Sequence, residues 1–165
     1  MRAYGLQSYP RVRIITYNAA YRSAFISLNR EWIEKYFEIE EADVAQLERL
    51  EETILGVGGE IFFVLENDHA VGTCAMVPHG PTGCFELAKM AVAPEMRGKG
   101  YGDLLMDAAI SWGKSQGGNE VMLLSNTILE SAIKLYRKHQ FEVVRLGNHP
   151  DYKRSNIEMK RSLDS

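Results

Sequence analysis

The sequence predicts a single α/β domain with a mixed, largely antiparallel central sheet flanked by helices. Three observations predict this fold class. After two helical patterns, the first half of the chain shows three consecutive strand patterns joined by short turns, which is typical of an antiparallel meander. A glycine-rich turn then separates a strand from a helix, and the rest of the chain alternates strands with helices. The length of 165 residues suits one domain, which we place over 1–165.

The first elements are one strand and two helices. A β-branched, apolar run predicts a strand over Val12–Thr16. Asn18 provides an N-cap for a helix in which apolar residues recur at helical spacing. These residues are Phe25, Leu28, Trp32 and Tyr36. A second helix is predicted over 41–55, with Val44 and Leu47 on its apolar face, and the glycines that begin at Gly56 end it.

The middle of the chain predicts a meander of three strands. Apolar runs over 61–65 and 71–77 flank the turn Asn67-Asp68 and read as an antiparallel hairpin. A third run covers 84–92 and ends at Pro94. We therefore expect these three runs to form consecutive antiparallel strands.

The second half predicts an alternation of helices and strands. A helix follows the glycine turn and stops at Gly117. A strand over 121–124, a helix over 129–139 and a strand over 141–145 come next, and Ile157 and Met159 alternate with charged residues in a last strand. The predicted order is β-α-α-β-β-β-α-β-α-β-β.

Composition and charge narrow the possible functions. The formal net charge of -3 argues against binding to a phosphate backbone, so nucleic acid is not an expected partner. Apolar runs are too short to span a bilayer and no secretory signal pattern is present, so we expect a cytoplasmic protein without a membrane partner. Residues 1–10 are expected to form a flexible N-terminal segment. Cys74 and Cys84 are too few for a metal set; they are core thiols or face each other across a hairpin.

The glycine turn presents backbone N–H groups at the start of a helix, which favours an anion such as a phosphate. A P-loop requires Lys followed by Ser or Thr, but Lys99 stands between Gly98 and Gly100. A dinucleotide fingerprint requires a third glycine, where this chain has Asp103 or Leu105. The turn therefore matches neither a P-loop nor a dinucleotide-binding fingerprint.

The turn consists of Arg97, Gly98, Lys99, Gly100, Tyr101 and Gly102. This run resembles the Q/R-x-x-G-x-G/A signature of the GNAT superfamily of acyl-CoA-dependent N-acyltransferases. The resemblance extends upstream over 86–95 and downstream through Asn126 to 135–141. It departs from the family at Gln140, where many members have a glycine that caps the helix in a left-handed conformation.

The resemblance implies that acetyl-CoA is the acyl donor. The four histidines are scattered without the spacing of metal ligands, so no metal is expected. The backbone of Arg97–Gly102 would hold the pyrophosphate, and Met90, Ala91 and Val92 on the central strand would lie along the pantetheine arm. The strand would part there from its neighbour, and an N–H such as that of Val92 would face the thioester oxygen. Asn126 resembles a residue that binds the pantetheine arm; alternatively it is a turn or N-cap residue.

Two residues resemble the family's catalytic groups. Glu86 matches a position where some members keep a general base that takes the proton of the amine, directly or through water. Its alternative role is that of a solvated carboxylate at the edge of the cleft. Tyr136 matches the general acid that protonates the departing thiolate, and its alternative role is that of a buried aromatic residue.

The acceptor is less defined than the donor. Two stretches would wall its cleft, 28–52 and 147–155. The first is rich in acidic residues around Asp43, which favours a cationic amine. The second contains Lys153 and Arg154, which favour an acceptor carboxylate. The two hints point to different acceptors.

The leading hypothesis is an N-acetyltransferase that acts on a primary amine of a small molecule, amino acid or peptide by direct attack. One alternative is a non-catalytic acyl-CoA-binding or sensing module of the same fold, which would need the turn but neither Glu86 nor Tyr136. Another is an enzyme that acetylates protein N-termini or lysines. The last strand, with Ile157 and Met159, is expected to be a free edge or to pair with a second copy in a homodimer.

Overall fold

The computed structural model describes residues 9–164, so most of the expected flexible segment over 1–10 lies outside the described residues. The order of helices and strands in this part is the predicted one. The elements are β1 (Val12–Thr16), α1 (Arg22–Tyr36), α2 (Glu41–Glu48), β2 (Glu60–Glu66), β3 (His69–Pro78), β4 (Cys84–Val92), α3 (Tyr101–Ser115), β5 (Glu120–Ser125), α4 (Glu130–Lys138), β6 (Glu142–Leu146) and β7 (Ile157–Ser162).

The strands form one seven-stranded sheet in the order β1-β2-β3-β4-β5-β7-β6. All neighbours are antiparallel except β4 and β5, which are parallel. The predicted mixed, largely antiparallel sheet flanked by helices is confirmed. The expected position of the last strand is wrong, because β7 pairs with β5 on one side and β6 on the other, so β6 forms that edge of the sheet.

Helices cover both faces of the sheet. On one face, α3 and α4 pack over a core that includes Met76, Leu105 and Met159. On the other face, α1, α2 and the segment after α2 pack over a second core that includes Phe25, Leu50 and Phe63. Burial of these apolar side chains provides the main driving force for folding.

Two helical predictions need correction. The single helix expected over 41–55 is interrupted: α2 ends at Glu48, and a π-helical turn, Glu51–Leu55, follows it. In that turn Gly56 N–H bonds to the Glu51 carbonyl, five residues back. Val44 is 39% exposed and does not belong to the apolar face.

The predicted apolar stripe of α1 is divided between two surroundings. Phe25 is buried in the core together with Asn29 and Ile33. Trp32 and Tyr36 instead line a cleft beside the helix. The predicted helical spacing was therefore right, but part of the stripe packs in the core and part of it lines the cleft.

Strand β4 has two irregularities that shape the centre of the molecule. Its parallel pairing with β5 extends only from Cys84 to Glu86, after which the two strands separate. A β-bulge opposite Cys74 adds one residue to β4, and Lys89 there adopts φ 54°. Cys74 and Cys84 are free thiols and do not oppose each other across the hairpin, because Cys84 lies near Asn119 and Glu120 instead.

Candidate active site

A cleft of about 900 Å³ opens where β4 and β5 separate. The residues of β4 from Glu86 to Val92 line it. We call the part bordered by residues 97–103 and α4 the glycine-turn side. The part lined by Trp32, Phe37, Glu86, Tyr152 and Arg154 we call the aromatic side.

The glycine turn has the backbone geometry of an anion site. Gly98 and Gly100 adopt φ 80° and 82°, a region that glycine enters without strain. Helix α3 starts directly after Gly100. Within residues 9–164, the N–H groups from Gly98 to Asp103 donate to no protein acceptor. Free N–H groups in this arrangement, at the positive end of a helix dipole, favour a bound phosphate.

Other residues of the turn hold it in place. The Tyr101 hydroxyl donates to Glu66 Oε2 at 2.5 Å, and Lys99 Nζ lies 3.4 Å from the same carboxylate. Lys99 is the one residue of the predicted run Arg97–Gly102 that does not line the cleft. A Cβ on Gly102 would lie 3.1 Å from Leu135, so this glycine permits α3 to approach α4 closely.

Glu86 is the last residue of β4 that pairs with β5, and it lines the cleft. The side chain is half-buried, and its carboxylate has no hydrogen-bond partner among the described residues. Burial raises the pKa of Glu86, and the nearby ammonium group of Lys89 opposes the rise. A carboxylate with a raised pKa is a stronger base, which suits the predicted role.

Lys89 and Arg154 are held by one buried carboxylate. Lys89 Nζ lies 2.7 Å from Asp43 Oδ1, and both side chains are almost fully buried. Arg154 Nη2 lies 2.5 Å from the same oxygen, and Nη1 contacts both Asp43 Oδ2 and Glu40 Oε2. We call these four residues the ion cluster. It ties α2, the bulge of β4 and the β6–β7 loop together.

The protonation of the ion cluster follows from its charges. Burial alone would raise the pKa of Asp43, but Arg154 and Lys89 outweigh burial and lower that pKa to about 2. Asp43 is therefore ionised throughout the physiological range. An ionised buried carboxylate between two cations makes each of the three groups depend on the other two.

The two hints about the acceptor prove to be parts of one structure. Asp43, from the acidic stretch, and Arg154, from the basic stretch, contact each other. Two further acids of the same stretch are also paired, Glu51 with Arg22 and Glu52 with Arg49. Arg154 of the second stretch is therefore paired with Asp43 and Glu40 of the first, and the partners of Glu51 and Glu52 lie outside the second stretch.

Tyr136 on α4 lines the cleft from the side opposite to α1 and is half-buried. Burial raises its pKa to about 12, so the phenol stays protonated at any physiological pH. Its ring packs edge-on against Phe141, with centroids 6.1 Å apart. Its hydroxyl makes no hydrogen bond to a described residue and remains available to a ligand.

The end of α4 fixes this tyrosine. Gln140 adopts φ 71°, the left-handed conformation expected of the glycine it replaces. The Phe141 N–H bonds to the Tyr136 carbonyl, and the Gln140 N–H bonds to the Arg137 carbonyl. This is the hydrogen-bond pattern of a Schellman cap. The departure at Gln140 therefore preserves the cap.

Asn126 follows β5 and lines the cleft. Its Oδ1 accepts the Ile128 N–H at 3.0 Å, which makes it a turn residue. Its Nδ2 donates to the Arg154 carbonyl at 2.8 Å. The N-cap of α4 is Leu129, so the N-cap alternative for Asn126 is wrong. Met90, Ala91 and Val92 also line the cleft.

The sequence did not single out the aromatic side as a unit. Its residues come from α1, the residue after α1, and the β6–β7 loop, and no motif links them. One residue in the sequence could have indicated this side: Lys89 is a charged residue in the otherwise apolar second half of a strand.

Within residues 9–164, no group of three or more His, Cys, Asp or Glu side chains is arranged to hold a metal ion. None of the helices in this range has the length and apolar character that crossing a membrane requires.

Comparison with known proteins gives the chain a family. Residues 25–141 match the family model described as acetyltransferase (GNAT) family. An uncharacterized N-acetyltransferase of Schizosaccharomyces pombe is 32% identical over 84 residues, which are 50% of this chain and 52% of that protein. The chain thus spans about half the length of this curated relative.

Solved structures of low sequence identity share the fold. An acetyltransferase of the GNAT family from Staphylococcus aureus Mu50 has a TM-score of 0.83 at 24% identity, covering 93% of this chain and 100% of that one. A putative acetyltransferase of Salmonella typhimurium, solved with acetyl-CoA, has a TM-score of 0.76 at 17% identity, covering 93% and 95%. A phosphinothricin acetyltransferase of Sinorhizobium meliloti, also in complex with acetyl-CoA, has a TM-score of 0.74 at 20% identity, covering 92% and 88%.

Proposed function

The chain belongs to the acetyltransferase (GNAT) family, and on this basis we propose that it transfers an acetyl group from acetyl-CoA to a primary amine by direct attack, without a covalent enzyme intermediate. The acceptor is a small molecule, an amino acid or a peptide. Acetyl-CoA supplies the acetyl group in activated form, as a thioester. The other steps depend on residues of this chain.

One observation carries the proposal: the free N–H groups from Gly98 to Asp103 lie beside the gap between β4 and β5. The residues fit acetyl-CoA in two respects. The N–H groups of the turn suit the pyrophosphate. The edge of β4 beyond Glu86 has no strand partner on its β5 side, so the backbone of Met90–Val92 is free to pair with an extended amide chain such as the pantetheine arm.

The proposed chemistry divides between two sides of the cleft. An alkylamine with a pKa near 10.4 costs about 4 kcal/mol to neutralise at pH 7.5, so a base is useful. Glu86 takes this proton, directly or through water, and its raised pKa favours the transfer. The Val92 N–H stabilises the charge that develops on the thioester oxygen. Tyr136, protonated because its pKa is about 12, donates a proton to the departing thiolate.

The direct test is release of free CoA thiol by the purified chain, measured with a thiol reagent. We expect release only when acetyl-CoA and a primary amine are both present, together with acetylated amine of matching amount by mass spectrometry. Binding of acetyl-CoA without release, over a panel of amines, amino acids and peptides, would instead indicate a sensing module. Lack of acetyl-CoA binding would remove the basis of the proposal.

A further inference from the structure

Aromatic rings line the aromatic side of the cleft. The ring of Phe37 lies 6.4 Å from the rings of both Tyr36 and Trp32. The Arg154 guanidinium lies 5.9 Å from the Trp32 ring and 5.4 Å from the Tyr152 ring. Arg154 thus lies between two of the four rings. We call the rings of Trp32, Tyr36, Phe37 and Tyr152 the aromatic wall. All of these residues line the cleft.

Two positive charges on the aromatic side, those of Lys89 and Arg154, already have a carboxylate partner. Both terminal nitrogens of Arg154 contact Asp43, and Lys89 contacts the same carboxylate. Neither is therefore free to form a two-point contact with a carboxylate of the acceptor. Arg97, the third cationic side chain that lines the cleft, belongs to the glycine turn and lies beside Tyr36, at the other end of the aromatic wall from Tyr152.

The negatively charged side chain on this side of the cleft, by contrast, is unpaired within the described residues. Glu86 has no hydrogen-bond partner among the described residues. Glu86 and Tyr152 line the same cleft, and burial together with the Glu86 carboxylate raises the pKa of Tyr152 to about 12. A protonated amine is attracted to this carboxylate and to aromatic faces, whereas a carboxylate on the acceptor is repelled by Glu86.

We infer that the acceptor is a primary amine on an aromatic or similarly flat apolar body, with no carboxylate next to the amine. The inference rests on the proposed function and narrows its acceptor. The amine lies at Glu86, and the body packs against the aromatic wall. Amino acids fit less well, because their carboxylate would be buried beside Glu86 without a cation to pair with.

Matched ligand pairs test the inference. Tyramine and tyrosine, or phenethylamine and phenylalanine, share a ring and differ in the carboxylate. We expect calorimetric titration of the CoA-saturated protein to show the amine binding about 10- to 100-fold more tightly than its amino acid. Equal or tighter binding of the amino acid overturns the inference, and so does failure of both members of every pair to bind at millimolar concentration.

Binding to the CoA-saturated protein separates this inference from the proposed function, because it needs no turnover. Amines that bind preferentially without being acetylated from acetyl-CoA would support the ligand class and overturn the acetyltransferase proposal. Acetylation of amino acids in preference to their decarboxylated amines would support the acetyltransferase and overturn the ligand class.

A variant of the wall provides a second readout. Trp32→Leu removes one ring, and we expect about ten-fold weaker binding of phenethylamine with unchanged binding of acetyl-CoA. Tyr152→Leu tests the other end of the wall in the same way. The control is Tyr9→Leu, since Tyr9 is 85% exposed and does not line the cleft. Unchanged amine binding in both wall variants would overturn the inference.

Discussion

The two sides of the cleft differ in the groups that they present to a ligand: backbone N–H groups on one side and side chains on the other. On the glycine-turn side, the anion site consists of consecutive residues that offer backbone N–H groups, and its shape depends on the conformations of Gly98 and Gly100. The aromatic side consists of side chains brought together across long stretches of sequence. Asp43 is 46 residues from Lys89 and 111 from Arg154.

Because of this difference, substitutions on the two sides should affect different properties of the protein. On the glycine-turn side a substitution alters ligand binding through local strain, while the rest of the fold remains. On the aromatic side the buried carboxylate of Asp43 neutralises two cations, so its loss affects α2, β4 and the β6–β7 loop together. Variants on the two sides should therefore separate stability from binding.

The largest effect is expected at the ion cluster. Asp43→Asn keeps the size of the side chain but leaves Lys89 and Arg154 without their shared carboxylate, which should cost about 3–5 kcal/mol of unfolding free energy. Urea denaturation at pH 7 measures it. The control is Asp151→Asn in the same loop as Arg154, where the carboxylate is exposed and the cost should be below about 0.5 kcal/mol. A cost of similar size in both variants would show that the ion cluster does not hold this side together.

The next effect concerns turnover. Tyr136→Phe removes the proposed proton donor and should lower kcat by about 100-fold, with acetyl-CoA affinity within about two-fold of the wild-type value. Steady-state kinetics and calorimetry measure the two quantities. Tyr21→Phe is a matched control, because the Tyr21 hydroxyl donates to the Asp68 carbonyl and Tyr21 does not line the cleft. If kcat is unchanged in Tyr136→Phe, this residue has no catalytic part.

A smaller effect is expected from the glycine turn. Gly100→Ala places a Cβ on a residue at φ 82°, which costs about 1–2 kcal/mol of local strain. Gly80→Ala imposes the same kind of strain at φ 69°, and neither Cβ would meet an atom within 4 Å. Both variants should lose similar stability, but only Gly100→Ala should bind acetyl-CoA more weakly, by about ten-fold. Equal acetyl-CoA affinity in the two variants would place the anion site elsewhere.

The helix cap allows a gain of stability. Gln140 is in the left-handed conformation, and Gln140→Gly removes the strain of its Cβ. We expect an increase in unfolding free energy of up to about 1 kcal/mol, measured by thermal or urea denaturation. The Schellman bonds persist, so kcat should not change. A loss of stability would mean that the glutamine side chain itself supports the cap.

The smallest effect is a pH dependence at Glu86. Its folded-state pKa is raised by burial, so the ionised side chain opposes folding above that pKa, and the penalty disappears as pH falls below the ordinary pKa of glutamate. Glu86→Gln should therefore melt at a higher temperature than wild type at pH 7, and the difference should shrink towards pH 4. The same variant should acetylate amines more slowly below their pKa. A melting difference that does not vary with pH would contradict the burial argument.

The sequence predicted features that depend on neighbouring residues. The order of elements, the hairpins of the meander and the turn before α3 all follow from local periodicity and from glycine, and the structure contains each of them. The prediction was wrong where a long-range contact overrides local pattern. The helix predicted over 41–55 is broken after Glu48, whose carbonyl accepts a hydrogen bond from Arg22. The helical spacing predicted for α1 was right, but it did not show that Trp32 and Tyr36 line the cleft.

The ion cluster could not be predicted from local pattern at all. Acidic α2 residues and the basic β6–β7 loop are compatible with solvent, with an acceptor or with each other, and only the fold brings Asp43 to Arg154. The bulge that turns Lys89 towards Asp43 is likewise a property of strand pairing. The glycine turn was consequently predictable from a motif, whereas the arrangement of the aromatic side needed the structure.

The measurement that tests the central claim most directly is a pair of calorimetric titrations, with acetyl-CoA and with S-acetylpantetheine, which lacks the pyrophosphate and the adenosine 3′-phosphate attached to it. If the free N–H groups from Gly98 to Asp103 bind the pyrophosphate, acetyl-CoA should bind about 100-fold more tightly or better, the equivalent of two hydrogen bonds to a charged group. Equal affinity for the two ligands, or no binding of acetyl-CoA, would contradict the assignment of the glycine-turn side.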